Sequence, residues 1–388
     1  MRAPWAWVCA SALAASFAFG RAATTEDCGR KLNGSGARVP SATGPVVPGS
    51  LVPLPPPPPV ALQRPEDIQT LTVVAYNMLN LGAHVGKFAW DPRTGTYQKL
   101  SSGQPKEAKH REWQAAIFRE LGADVVVAQE VEGLTPLQQF VALDTDHTFH
   151  SILERGNDSR GIDVAMMLRR NLPLRWEVRT HKQVSFDDPV TGETMPLFSR
   201  DLPIYMLRLG DDPRPLAILV GTHFKSKRDR PGDRESRILR KAQVDGAVRI
   251  IDDLFREFGA DAPVLFAGDF NGDIHAEAEF ASLRRALALA DAFDVVSPPL
   301  SKRERLTHTY HPKDGPTSKA QMDAIFVARG IQHCLGEAFV YRYKDASGRP
   351  KPLPSTYEER SENPSDHFPV VARFDFQCLL EALRNRSR

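Results

Sequence analysis

Asn77, Glu130, His223, Asp269, Asn271, Asp323, Asp366 and His367 are acids, amides and imidazoles placed at the borders of short apolar runs. Asn77 follows Leu71–Tyr76, and Glu130 follows the run that opens at Asp124. His223 follows Leu216–Gly221, and Gly268-Asp269-Phe270-Asn271 follows Pro263–Ala267. Asp323 and Asp366-His367 instead precede their runs, in Met322-Asp323-Ala324-Ile325 and Ser365-Asp366-His367-Phe368-Pro369. Carboxylates plus an amide oxygen, without cysteine, form a hard oxygen site suited to Mg²⁺, or to Mn²⁺ or Ca²⁺. Two histidines near acids can be oriented and kept cationic to hold a phosphoryl oxygen. The set holds no strong protein nucleophile, so water is the expected attacking group, with a metal neutralising charge at phosphorus.

Taken singly, each residue has a plainer reading. Asn77 would cap a turn, Glu130 would be a solvated strand edge, and Gly268-Asp269-Phe270-Asn271-Gly272 would be an ordinary turn. Jointly those readings require six coincidences in one order.

The elements that must position the set are short β-branched runs: Leu71–Tyr76, Asp124–Ala128, Ile162–Leu168, Pro203–Leu209, Leu216–Val220, Pro263–Ala267, Asp323–Val327 and Phe368–Phe374. Helical stripes fall at Glu107–Leu121, Arg234–Phe258 and Ala276–Ala290. Between Ile162 and Val220 strand-like runs follow one another with no room for helices, which argues against a regular Rossmann fold or an eight-fold barrel. The expected fold is α/β: a four-layer sandwich of two mixed β-sheets face to face with helices outside. All the polar groups reach one rim if the last strands run opposite to their neighbours. No internal repeat is visible.

Asn77 in VVAYNMLNL, Glu130 in VVVAQEVEG, His223 in GTHFKSK, then GDFNGD, MDAIF and SDHFPV stand in the order of the endonuclease/exonuclease/phosphatase superfamily, which the chain resembles from about Leu71 to Phe376. GIDVAMMLRR and THFKSK resemble its bacterial exported branch most. The resemblance implies that Glu130 and Asp366 ligate or surround the metal with Asn77 beside it, and that Asp269 orients or deprotonates the attacking water. It further implies that Asn271 and His223 bind the scissile phosphate, and that His367 contacts the phosphate while Asp323 holds it. Two departures stand out: Leu79 where many relatives carry an acid, and Asp323-Ala324 where many have Asp-His.

Lys225–Lys241 carries eight cations against three carboxylates directly after His223. Lys225, Lys227 and Arg228 are the candidate contacts to a phosphate backbone, with a solvated surface segment as the equal alternative. His147/His150 and His308/His311 have metal-compatible spacing but no accompanying acid motif, and Asp163 reads as a strand-end contact.

Residues 1–23 read as an export signal: Arg2, an apolar core from Trp5 to Phe19, and small residues for cleavage. That core is shorter than the roughly 20 residues that span a bilayer, so no transmembrane segment is expected in the mature protein. A secreted or periplasmic monomer is expected. Ten of the 31 prolines fall between Pro40 and Pro65, so 24–66 reads as an extended, disordered linker, with the catalytic domain over 67–380 and a disordered tail over 381–388. Of the four cysteines Cys9 lies in the signal; Cys28, Cys334 and Cys378 allow one bridge, its pairing open. Lys plus Arg number 50 against 48 Asp plus Glu among 388 residues, a formal charge of +2, which excludes a histone-like polycation.

The function expected is a metal-dependent phosphoesterase, a nuclease acting on DNA or RNA. The alternatives are a sphingomyelinase-like phospholipase or a small phosphate-ester phosphatase. Phe88, Trp90 and Tyr97 in Gly86–Tyr97 form the one candidate aromatic hairpin for membrane insertion. A catalytically silent scaffold is a third reading, opposed by the intact residue set.

Overall fold

Alternation along the strands decides the layers. In a computed structural model, which describes residues 54, 56–82, 106–286, 288–312 and 317–386 and the backbone of 88–91 and 96–99, twelve strands form two six-stranded sheets. They are β1 (Thr70–Leu81), β2 (Val125–Val131), β3 (Phe149–Ile152), β4 (Asp163–Arg169), β5 (Leu174–Arg179), β6 (Ile204–Leu209), β7 (Ala217–His223), β8 (Val264–Asp269), β9 (Leu289–Asp291), β10 (Asp323–Ala328), β11 (Leu335–Val340) and β12 (Val370–Asp375). One sheet runs β11-β12-β1-β2-β4-β3 and the other β9-β10-β8-β7-β6-β5.

In the second sheet Tyr205, Leu207, Leu219, Leu265, Ile325 and Val327 pack with the first sheet's Val73, Ala75 and Val127. Their neighbours Ile204, Met206, Ile218, Val220, Val264, Phe266 and Phe326 pack on the opposite face against Val244, Ala247, Ile251 and Leu254 of the helix Arg237–Phe258. Side chains that alternate by one residue thus fill two separate cores, as period-two pleating requires. The first sheet is backed by α1 (Ala108–Leu121) through Ile117, Phe118 and Leu121, by α2 (Leu134–Leu143), and by a C-terminal helix described below; α3 spans Arg237–Phe258. The expected four-layer sandwich is what forms.

The sheets share one plan that no sequence repeat betrays. Each has a single parallel pair at its centre, β1 with β2 and β7 with β8, joined by α1, and by α3 with its approach, and flanked by antiparallel partners. Because β10 and β12 run antiparallel to β8 and β1, their N-terminal ends lie where β1, β2, β7 and β8 end.

Three expectations need correction. Ala276–Ala290 is helical only over 278–285; Leu289–Asp291 leaves the helix to pair with β10, where sheet-edge hydrogen bonds override local helix preference. The tail is ordered through Asn385: α4 (Tyr357–Ser361) precedes β12, and α5 (Phe376–Asn385) buries Leu379, Leu380 and Leu383 on the first sheet. The proline-rich linker is held before residue 67, since Arg170 donates to the Pro58 carbonyl (2.7 Å) and Gln63 N–H to Asn171 O (2.8 Å).

Cys334 and Cys378 form the disulfide, with Cα atoms 5.4 Å apart. It ties the start of β11 to α5. The export signal, Cys28 and residues 387–388 lie outside the described residues. Phe88–Asp91 and Thr96–Lys99 pair as antiparallel strands; their side chains lie outside the description. Among the described residues no helix is long and apolar enough to cross a membrane.

Candidate active site

Strand register assembles half of the site. His223 pairs with Asp269 across β7 and β8, and Asp269 pairs with Asp323 across β8 and β10, so the three stand in one row. Each lies an even number of residues from side chains of the inter-sheet core (Leu219, Leu265, Ile325), so all three face the first sheet. Gly268 makes the row possible: its φ is +142°, and a Cβ there would stand 2.1 Å from the Thr222 carbonyl.

The first sheet supplies the other half. The β1–β2 register shifts after Asn77, and Glu130 sits at φ +58°, a left-handed conformation costing a non-glycine residue about 1–2 kcal/mol. The Glu130 carboxylate accepts from Asn80 N–H (3.2 Å). Just before β12, the Ser365 hydroxyl donates to the Asn77 carbonyl (2.8 Å) and accepts from His367 N–H (3.1 Å), which docks Asp366-His367 onto the end of β1.

The halves meet at Asp269 Oδ2. It accepts from Asn77 Nδ2 (3.0 Å) and Asn271 Nδ2 (3.1 Å), with His223 Nε2 at 3.5 Å and His367 Nε2 at 3.8 Å. Asp269 Oδ1 accepts from Asn271 N–H (2.7 Å). His367 Nδ1 lies 2.8 Å from Asp323 Oδ2, which fixes the ring. Both amide hydrogens of Asn271 are engaged, the second donor contact going to the Phe224 carbonyl (3.0 Å). Its amide therefore braces Asp269 in this arrangement.

The histidines divide. Burial pushes the His223 imidazole well below its usual value, and the charge of Arg200 adds to that, so His223 is neutral at pH 7. Burial acts the same way on His367, but the carboxylates of Asp323 and Asp269 outweigh it and hold that ring well above its usual value. The expectation of two cationic histidines is thus corrected: one is a cation and one is not, because only one has a carboxylate at hydrogen-bond distance. Burial raises Glu130, and the neighbouring Asp366 charge raises it further. Burial also raises Asp269, against the opposing pull of His367. Asp366 is held far below the carboxylate range; its burial is outweighed by His308, His367 and Arg360.

Glu130 and Asp366 fit a hard cation. Asp366 Oδ1 is buried with no hydrogen-bond partner, and Glu130, half-buried, is a second carboxylate whose proton affinity the Asp366 charge helps to raise. Asn77 is committed to Asp269 and, through Oδ1, to Leu79 N–H (3.0 Å), so it holds acids in place.

Every residue the motifs single out in the core set therefore meets at one rim. The basic segment divides. Lys227 pairs with Glu277, Arg230 with Asp188 and Asp233, Arg237 with Glu235, Arg240 with Glu279 and Lys241 with Asp245. Arg228 is exposed and Lys225 half-buried, and neither has a carboxylate partner among the described residues. Sequence reasoning missed Arg360, whose guanidinium stands 2.7 Å from Asp366, and Lys106, which binds the Leu79 and Pro364 carbonyls (3.1 and 2.7 Å). It also missed Arg200. His308 was visible only as half of a spacing pair; it reaches Asp366 (3.7 Å) without His311. His150 packs at a tilt against Trp176, with ring centroids 4.7 Å apart, and Asp163 accepts from Gly156 N–H (2.8 Å).

No family model matches the chain, and no curated protein does. Solved structures do. TDP2 of Caenorhabditis elegans matches with a TM-score of 0.50 at 16% identity, covering 80% of this chain and 76% of that one. TDP2 of D. rerio, complexed with single strand DNA product, matches with a TM-score of 0.51 at 16% identity, over 79% of this chain and 99% of that one. An endonuclease/exonuclease/phosphatase family protein of Bacteroides thetaiotaomicron gives 0.49 at 17% identity, over 79% and 98%. At such identities the likeness is one of fold: the chain has the fold of the TDP2 structures, a sandwich of two six-stranded mixed sheets with helices.

Proposed function

We propose that the chain is an exported, monomeric, divalent-metal-dependent phosphoesterase that cuts phosphodiester bonds of DNA or RNA by in-line attack of water. The observation that carries this reading is the single oxygen Asp269 Oδ2, ringed by Asn77, Asn271, His223 and His367. Burial raises the affinity of this carboxylate for protons while the ring of donors fixes its orientation, and together these are the properties of a group that positions and deprotonates water. His367, cationic and clamped by Asp323, offers Nε2–H to a phosphoryl oxygen without reorganising. Neutral His223 sits across the same oxygen and can donate or accept at the scissile phosphate. Glu130 and Asp366 would hold Mg²⁺, with Mn²⁺ or Ca²⁺ as the other hard candidates. The ion, when bound, supplies charge neutralisation at phosphorus.

The Cys334–Cys378 bridge supports an oxidising compartment, secreted or periplasmic. The strand bound in the D. rerio TDP2 structure supports nucleic acid as substrate. The test is the purified chain with Mg²⁺ or Mn²⁺ on plasmid DNA, RNA, sphingomyelin and a phosphomonoester, with EDTA and Asp269→Ala as controls. Cleavage of DNA or RNA, lost in both controls, is the expected result. If neither polymer is cut with either metal, the nuclease reading is wrong. Choline or phosphate release from the other two substrates would transfer the site to the lipid or small-ester reading.

A further inference from the structure

Arg200 is a buried cation that arrives at the site from a loop no motif marks. Its Nη1 donates to the Phe224 carbonyl (2.9 Å), the oxygen that also receives Asn271 Nδ2 (3.0 Å). Two hydrogen bonds through one oxygen therefore link Arg200 to the brace of Asp269. The Arg200 Nε faces Asp158 Oδ2 (3.1 Å), and Arg160 faces Asp158 Oδ1 (3.3 Å). One carboxylate thus carries two guanidiniums. Lys225, the residue after Phe224, adds a third cation, and burial together with the charges of Arg200 and Arg160 lowers its affinity for protons. Asp158 neutralises one of the three and the Glu130 and Asp269 charges also reach Arg200, so the excess stands on the Arg160 and Lys225 side. Such an excess beside a phosphate-cleaving centre is stable when a ligand anion completes it.

We propose that Arg160, Arg200 and Lys225 form a subsite for a second phosphate of the substrate, next to the scissile one on the Asn271 side. The inference rests on the phosphoesterase reading and narrows it. The substrate is then a polyanion, either a nucleic-acid strand or a small bisphosphate ester, and an isolated phosphoester is handled poorly. Lys227, bound to Glu277, and the paired remainder of the basic segment take no part.

The test uses Arg160→Gln and Lys225→Gln in the full chain; both side chains reach solvent, and thermal melts check that the variants fold. In EDTA, binding of fluorescent hexathymidylate is followed by anisotropy across a KCl series, with adenosine 3′,5′-bisphosphate as competitor. Each variant should bind about tenfold more weakly and lose about 0.7 from the log–log salt slope, the release expected for one phosphate contact on a single strand. Arg160→Lys should recover most of the binding. With metal, the ratio of kcat/KM for the oligonucleotide to that for bis(4-nitrophenyl) phosphate, which has no second phosphate, should fall about tenfold. Tight competition by the bisphosphate identifies a small ester as the source, and its failure to compete identifies a strand. Binding and salt slopes equal to the parent chain overturn the subsite, as does an unchanged ratio with both substrates lost equally. If the parent chain hydrolyses nothing, the phosphoesterase reading fails while the binding arm still decides the subsite.

Discussion

Asp323 Oδ2 and His367 Nδ1 stand 2.8 Å apart, both almost fully buried, so the imidazole is a clamped cation whose other nitrogen faces Asp269. Because the folded-state proton affinity of His367 is raised, the pair's contribution to stability is complete below the unfolded value near 6.5 and fades as pH rises through the folded one. In Asp323→Asn the ring loses its nearest carboxylate. NMR of the metal-free protein should show the parent imidazole titrating well above the usual histidine value and the variant's titrating lower. Activity should fall about 10²-fold, and a variant ring that titrates with the parent's would contradict the clamp.

Asn77 and Asn271 brace the same oxygen. Groups that act on one target couple strongly. Asn77→Ala and Asn271→Ala should each lower kcat about 10²-fold, and the double variant should lose far less than the product of the two. Full additivity would mean that the amides act on different atoms.

Glu130 and Asp366 should make stability depend on divalent ions. An ion at 100 times its dissociation constant adds about 2.7 kcal/mol, visible as a raised Tm on adding Mn²⁺ and reversed by EDTA. Glu130→Gln should abolish that response. A response that survives Glu130→Gln places the ion elsewhere.

The Cys334–Cys378 bridge closes a loop 44 residues apart in sequence. Loop-closure entropy gives it about 3–4 kcal/mol. The Cys334→Ser/Cys378→Ser double variant, compared with the parent by urea unfolding, should lose most of that, because its unfolded chain regains the loop's freedom while α5 stays on the first sheet through Phe376, Leu379, Leu380 and Leu383.

Asp163 is buried with Oδ2 unpartnered, and burial pushes its carboxyl up to about 6. A raised acid destabilises the fold while it is charged, so its cost is present above pH 6 and vanishes as pH falls toward 4. Asp163→Asn keeps an acceptor for Gly156 N–H and should gain about 1–3 kcal/mol at pH 7.5, shrinking to nothing near pH 4. Urea unfolding at several pH values checks this; no gain at pH 7.5 would mean the charge is compensated.

Sequence alone determined the eight core strands and the ends at which Asn77, Glu130, His223, Asp269, Asp323 and Asp366-His367 sit, because apolar alternation and its interruption are local properties of the chain. It also carried the six motifs in order. It could not show the edge strands β3, β5, β9 and β11, which exist only where a neighbour offers hydrogen bonds. Nor could it show Arg200, Arg160, Arg360 and His308, which enter from segments without periodicity. Which histidine is charged, and which of eight basic residues stay unpaired, depended on distances between residues far apart in sequence. Those distances are set when two sheets close on one another, and only the tertiary structure decided them.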